Sequence, residues 1–480
     1  MIRTRKRKGH FMNRLIALLA LFAILALRTT AQEQKPQQVP SPDERFKTDI
    51  LVVVAHPDDE GAVTPYLARA IYDEHKRVAV VFGTRGGSGG NDYAREHGPA
   101  LADIREQEGR LATSALGITN VWFLDGKDTA SQNVLNSLAN WGHGANLERL
   151  VRIVRITRPE VILAWLPGVF IGENHGDHQA AGVLATEAFD MAGDPVAFPA
   201  QISGDTKRLE QYLENLKPWQ PKKIYFFSDA SDEKQFVGKG PAYSVREVSP
   251  SQKKPYWRLA LDAAKPHLTQ FPQIQAISKM SEPEIEKLAT DPNTAWWSEP
   301  MTLIFGKAVV PTQPSDAIFP NEPRQKPAAT TEVSGGPMVE QTASGPLSLA
   351  LGAPWGFYEK FRFAHKLTNL PIARTPEIAL YSGSVVYVPL TVTRRPGASR
   401  EITLKVTTPD GWKITNGAGK LLLPDEEITS LRLELQSPSI PEKDLKNRQP
   451  DAIVVTVSAE HKTFGEVRLN IALRSSALPQ

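Results

Sequence analysis

Ile50-Leu51-Val52-Val53-Val54-Ala55-His56-Pro57-Asp58-Asp59-Glu60-Gly61 decides how this chain is read. Residues 50–55 are an unbroken apolar run, half of it valine, as in a strand buried on both faces. Such strands belong to parallel sheets covered by helices on either side. His56, Asp58, Asp59 and Glu60 follow at once, where an open α/β sheet places its ligands, outside the carboxyl ends of the strands.

The pattern continues outward from this stretch. Gly61–Glu74 reads as a helix and Arg77–Thr84 as a second strand. Asp103–Leu116 is helical, stopped by Gly117, and Asn120–Leu124 gives a third strand. Asn146–Thr157 carries Leu147, Leu150, Val151 and Val154 on one face and ends before Pro159. Val161–Leu166 and Ile224–Phe227 are further strands. The alternation predicts a three-layer α/β domain with a mostly parallel sheet. Helices at Lys254–Lys265 and Glu282–Ala289 and a closing strand at Met301–Phe305 extend it, so the domain is expected over residues 46–307. Residues 308–346 hold seven prolines and little periodicity, a linker or an extended segment lying on the surface. Beyond it, strands follow without helices: Val385–Val392, Glu401–Thr408, Leu431–Leu435, Ala452–Glu460 and Glu466–Leu473. Turn signals such as Pro409-Asp410-Gly411 separate them, predicting an all-β, immunoglobulin-like sandwich over residues 347–480.

The amino end has a different composition. Residues 1–31 hold seven Lys or Arg, no acid, an apolar run Leu15–Leu27, and small residues before Ala31. This pattern predicts an export signal cut after Ala31, then a flexible leader over residues 32–45. The apolar run is short for a permanent anchor, so the membrane is met only through the signal if it stays uncleaved. The expected location is the periplasm or the extracellular space. The seven cations matter for charge: the chain carries +3 with them and −4 without them, so the apparent basicity belongs to the signal and nothing suggests a nucleic-acid partner. The chain has no cysteine, which excludes disulfides, thiolate ligands and a cysteine nucleophile. Any metal must therefore sit on His and carboxylate.

His56-Pro57-Asp58-Asp59 offers such a set. Pro57 keeps His56 extended and turns the chain, so that one aspartate coordinates while the other faces water. Read alone, Pro-Asp-Asp also caps a helix beginning at Gly61. A second cluster, Glu173-Asn174-His175-Gly176-Asp177-His178, follows the strand Val161–Leu166, so two strand ends deliver His and Asp to one sheet edge. His175 and His178 are neighbours if a helix has begun: one binds metal, while the other stabilises an oxyanion. Asp177 is placed to orient either imidazole. The glycine-rich Gly86–Gly90 lies between the clusters and lacks the Lys-Ser/Thr of a phosphate loop; Arg85 beside it is a candidate substrate contact. Arg105 and Glu108, three apart, read as a solvated helix face. Trp412 reads as core rather than as a sugar platform.

The motif AHPDDE at a strand end, with HGDHQAAG downstream, resembles the LmbE-like, or PIG-L, deacetylases. Arg105, Glu108, Ala112, Leu116 and Gly117 match the family pattern between them, and His267 and Gln270 its H-x-x-Q helix. The resemblance covers residues 46–230 and weakly extends to 307. It implies a Rossmann-like fold, one zinc ion on His56, Asp59 and His178, and Asp58 as general base. It also implies His175 as acid on the oxyanion with Asp177 orienting it, Arg105 near the substrate, and an N-acylated amino sugar as substrate. Ferrous iron is compatible with the same donors. Gly176 stands where that family often has Pro, which loosens the loop. The rival expectation is a non-catalytic, exported glycan- or surface-binding protein on the same scaffold. Two-metal phosphoester hydrolysis would need more carboxylates than these motifs hold.

Overall fold

The computed structural model describes residues 44–131, 133–168, 175–202, 216–228, 236–291, 297, 299–319, 345–367, 369–370, 377–445 and 448–475. The expected signal and the leader up to residue 43 lie outside them, as do Glu173 and Asn174, while Glu44 and Arg45 of the expected leader open a 3-10 turn, Glu44–Phe46. Among the described residues no helix is long and apolar enough to cross a membrane.

Strands β1 (Ile50–Val54), β2 (Val78–Thr84), β3 (Asn120–Gly126), β4 (Val161–Trp165) and β5 (Lys223–Phe227) are mutually parallel. Two short strands, β6 (Ala242–Tyr243) and β7 (Met301–Thr302), pair with each other. Strand β8 (Ile304–Ala308) then closes the main sheet antiparallel to β5, giving the order β3-β2-β1-β4-β5-β8. Every residue of β1, β2 and β4 is buried, which is why these runs carry no polar alternation. The helices form two groups that pack among themselves. Thr64–Tyr72, Pro99–Ala115 and Tyr256–Ala264 make one; Val134–Trp141, His143–Thr157 and Gly176–Met191 make the other. Strand order reverses between β1 and β4, and a crevice opens at such a switch point, beyond the strand ends.

Several boundaries differ from the sequence reading. The helix expected from Gly61 is preceded by a 3-10 turn, Asp59–Ala62, and begins at Thr64. Val134–Trp141 is an additional helix, capped by the Asn133 side chain. The expected closing strand divides into β7 and β8.

The C-terminal strands are β9 (Leu347–Leu351), β10 (Glu377–Tyr381), β11 (Val385–Arg394), β12 (Glu401–Thr407), β13 (Lys413–Asn416), β14 (Gly419–Leu422), β15 (Ile428–Gln436), β16 (Asp451–Ala459) and β17 (Lys462–Arg474). They form two sheets, β10-β17-β16-β12-β14 and β13-β15-β11-β9, around one shared core. Trp412 is buried in that core with its Nε1–H donating to Asp451 at 2.9 Å, as expected of a core residue. A helix, Trp355–Ala364, departs from the expected all-β pattern; its Tyr358 and Phe361 join the core of the α/β part.

Candidate metal centre and catalytic site

The end of β1 is folded around one carboxylate. Asp59 Oδ2 accepts from the backbone N–H groups of Ala55 and His56, at 2.9 and 2.8 Å, and from Trp165 Nε1–H at 2.8 Å. Trp165 is the last residue of β4, so this buried group ties the two strands that flank the switch point. Its other oxygen, Oδ1, lies 3.1 Å from His178 Nε2. The chain turns there because Asp58 adopts φ 118°, costly backbone for a non-glycine residue and a frequent mark of functional sites. The Asp58 N–H donates to Glu60 Oε2 at 2.9 Å, and the Asp58 carbonyl accepts from Gly61 N–H. The two adjacent carboxylates take different partners, Asp58 pairing with Arg105 and Asp59 with Trp165 and His178.

The second cluster enters on the helix Gly176–Met191, with His175 at its N-cap. The Asp177 N–H donates to His175 Nδ1 at 3.2 Å. The ring of His178 stacks on Trp165, centroids 4.3 Å apart and planes within 6°. Helix and strand meet closely at Gly182, where a Cβ would lie 2.2 Å from the Trp165 carbonyl oxygen. Gly176 is equally confined: its N–H donates to Ser131 O at 2.8 Å, and a Cβ there would lie 2.6 Å from Ser137 Oγ. The loosening expected of glycine here is corrected, because this position is held tightly and proline would lack the donating N–H.

Among the described residues, His56, Asp59 and His178 offer three ligand atoms within 4.8 Å of one another. His56, His175 and Asp177 form an overlapping second group. Two imidazoles and a carboxylate, largely buried, are a normal donor set for a catalytic divalent cation. The electrostatics agree. Burial alone would lower the His56 pKa, yet the Asp59 carboxylate and then Asp177 raise it to about 9, so the cluster favours positive charge. Asp59 is buried too, but His178 and His56 hold its carboxyl well below the usual range. Asp58 differs: burial pushes it up to about 6, Asp59 adds to this, and Arg105 offsets only part. Burial, then the neighbouring His56 and His178, lowers the His175 pKa.

Three expected roles meet a different arrangement. The Asp177 carboxylate faces His56 Nε2 at 3.3 Å and accepts from Thr129 N–H at 2.9 Å, while the Asp177 backbone N–H donates to His175 Nδ1. Arg105 and Glu108 are buried, so the solvated-face reading is overturned. Arg105 donates to Pro57 O at 2.7 Å and Gly86 O at 3.1 Å and pairs with Asp58 Oδ1 at 3.1 Å; Glu108 accepts from Thr269 N–H and Oγ1–H. Arg85 turns to Glu106 and Asp103 on the following helix and is absent from the cavity wall.

Two contributions escape the sequence reading. Glu60, whose Oε2 holds the Asp58 N–H, has its Oε1 2.6 Å from buried His267 Nε2. Trp165 supplies both a donor to Asp59 and a stacking face to His178. The H-x-x-Q stretch lies in turns after the helix Tyr256–Ala264 rather than on a helix, with Gln270 donating to Gly90 O. His56, Asp58, Asp59, Arg105, His175 and His178, with Glu60, Trp165 and His267, border a cavity of about 570 Å³. Its polar pole is the His/Asp cluster; Ala112, Leu116, Leu261, Ile274 and Ile277 line part of its wall.

Residues 51–189 match the family model described as PIG-L, GlcNAc-PI de-N-acetylase. A 1D-myo-inositol 2-acetamido-2-deoxy-alpha-D-glucopyranoside deacetylase 1 from Catenulispora acidiphila is 31% identical over 186 residues. That match takes in 36% of this chain and 56% of the relative, little over half its length. The similarly named deacetylase 2 of Frankia casuarinae is 31% identical over 233 residues, 44% of this chain and 70% of that protein. Among solved structures, an N,N'-diacetylchitobiose deacetylase from Pyrococcus horikoshii is 19% identical over 63% of this chain and 94% of its own. Its TM-score is 0.36, too slight a likeness to argue from.

Proposed function

Since the chain belongs to the PIG-L family of GlcNAc-PI de-N-acetylases, we propose that it is a metal-dependent hydrolase removing an N-acyl group, acetyl first among them, from an amino-sugar-containing glycan or glycoconjugate. The observation that carries this reading is the convergence of the His56, Asp59 and His178 donor atoms beside a second carboxylate, Asp58, on the wall of the same cavity. His56, Asp59 and His178 would hold the cation, zinc or ferrous iron. When bound there, it supplies Lewis-acid polarisation and acidifies a water toward neutrality.

The remaining work falls to the chain's own side chains. Asp58 takes the water's proton as the oxygen attacks the acyl carbon, and a carboxylate tuned toward neutrality suits that role. The same proton passes to the nitrogen as the C–N bond breaks, giving a carboxylic acid and an amine, which end at neutral pH as carboxylate and ammonium. His175 accepts at Nδ1 from the Asp177 N–H, so its neutral ring carries the proton on Nε2 and donates it as a hydrogen bond to the oxyanion. Arg105 fixes Asp58 from the protein side and borders the cavity where substrate enters. Asp177 positions His56 and the Thr129 backbone.

Export through residues 1–31 belongs to this proposal, with activity outside the cytoplasm; the N-terminal mass of protein recovered from cell fractions tests it. The enzymatic reading is tested by acetate release from N-acetylglucosamine conjugates before and after chelation. Activity lost with the metal and restored by zinc or ferrous iron supports it. Bound metal with no acyl release from any amino-sugar conjugate would favour the binding-protein reading instead.

A further inference from the structure

A thin partition separates the catalytic cavity from a second one. Ala130 lines both. The segment around it is held in place: Thr129 N–H donates to the Asp177 carboxylate, and Ser131 O accepts from Gly176 N–H at 2.8 Å. The partition is thus anchored on the same turn that carries His175 and His178. The second cavity, about 710 Å³, lies between this segment and the C-terminal sheets.

Its far wall is unusual for a sandwich surface. On β11, Tyr387 alternates with buried Val386 and Val388, so it occupies a solvent-facing position, normally polar. Tyr387 is 54% exposed, and Tyr381 on β10 is 58% exposed. Trp355 joins them from the start of the helix Trp355–Ala364. The Arg432 guanidinium sits 4.8 Å from the Tyr387 ring centroid, and Arg474 pairs in register with Tyr381. Tyr381 and the Tyr387 face turned away from Arg432, with half-buried Trp355 beside them, leave apolar surface in water that a ligand would cover. Sugar rings have the complementary chemistry, with C–H faces that stack on aromatics and hydroxyls that accept from guanidinium groups.

We propose that this groove binds further sugar units of the same glycan whose N-acyl group enters the catalytic cavity, which makes the substrate an oligosaccharide or polysaccharide rather than a single-sugar conjugate. This rests on the deacylase reading above. Because Ala130 borders both cavities, a glycan crossing over this narrow wall reaches both, and the sandwich gains a role as the far half of an extended saccharide site.

The test compares acetate release from N-acetylglucosamine methyl glycoside and from the β-1,4-linked N-acetylglucosamine pentasaccharide. The enzymes are wild type, Tyr381→Ala and Tyr387→Ala. Wild type should favour the pentasaccharide in kcat/KM by about tenfold or more, of the order that lost aromatic contacts are worth. Each tyrosine variant should lose most of that preference while processing the methyl glycoside at the wild-type rate, which also reports an intact fold. Equal kcat/KM for both lengths in wild type, or a preference untouched by both variants, overturns the proposal. If neither substrate releases acetate, the deacylase reading is at fault. Calorimetric titration of the pentasaccharide into wild type and Tyr387→Ala then decides the groove by itself: tighter binding to wild type supports it, and no binding rejects it.

Discussion

Asp58 and Asp59 are neighbours in sequence with opposite surroundings. Three N–H donors and two imidazoles surround the Asp59 carboxylate, whereas Asp58 sits beyond a left-handed turn with burial dominating its charge. Replacing Trp165 by Phe keeps a stacking face for His178 and removes one donor to Asp59. Metal affinity should fall by about 10- to 100-fold, as for other partners that orient a ligand, readable by competition with a chromophoric chelator. Unchanged affinity would show that the indole N–H is dispensable. The two clusters were legible because buried strands ran into His-Pro-Asp-Asp and toward His175-Gly176-Asp177-His178, whereas which aspartate and which histidine coordinate came only from the family resemblance. The burial of Arg105 was not legible, although the resemblance placed it near the substrate, since an Arg and Glu three apart look the same on a wet helix and on one pressed against Pro57 and Gly86. Nor was the Glu60–His267 pair, whose members are separated by 207 positions in the chain.

At the scale of elements, the helix Gly176–Met191 must lie close against β4 to present His178. Gly182→Ala would place a methyl group 2.2 Å from a backbone oxygen, so the helix must shift. The expected cost is about 1–3 kcal/mol, seen as a lower midpoint in thermal melts, with weaker metal binding alongside. The same helix meets His143–Thr157 through His143 and Glu187, 2.6 Å apart, and that hydrogen bond raises the His143 pKa against the effect of burial. A histidine raised by folding stabilises fully below its unfolded value of 6.5 and loses that contribution as pH rises through its folded value. Glu187→Gln should therefore lower the melting temperature below pH 6.5 and converge on wild type at higher pH; a constant difference would contradict the pairing. The longer strands were legible from their apolar patterns, but β9 was missed although Leu347 and Leu349 are buried, because it lies at the end of the proline-rich stretch. β13 was missed too, because all four of its residues are exposed and no alternation marks it. The helix Val134–Trp141 is short and its cap, Asn133, also reads as a loop residue.

For the molecule as a whole, the α/β part and the C-terminal sheets have separate cores, yet the connection between them is not a bare tether. Ile318 and Phe319, inside the expected linker, are buried in the first core, and Lys223 Nζ–H donates to Ile318 O at 2.8 Å. Tyr358 and Phe361 join the same core, and Lys307 and His365 both reach Asp190 at 2.6 and 2.8 Å. A chain ending at residue 345 should then melt below the full-length protein, because those two aromatic side chains leave the α/β core. Equal melting of the α/β transition would make the sheets an independent appendage. The proline count hid this, since composition reports flexibility and not which apolar residues find a surface. The central claim remains the division between carboxylates, in which Asp59 binds the cation and Asp58 moves the proton. Metal content and acetate release measured together on Asp58→Asn test it most directly. The account predicts wild-type metal content with activity lowered by about 10²- to 10⁴-fold, the range for a lost general base. Full activity with the metal retained would contradict it.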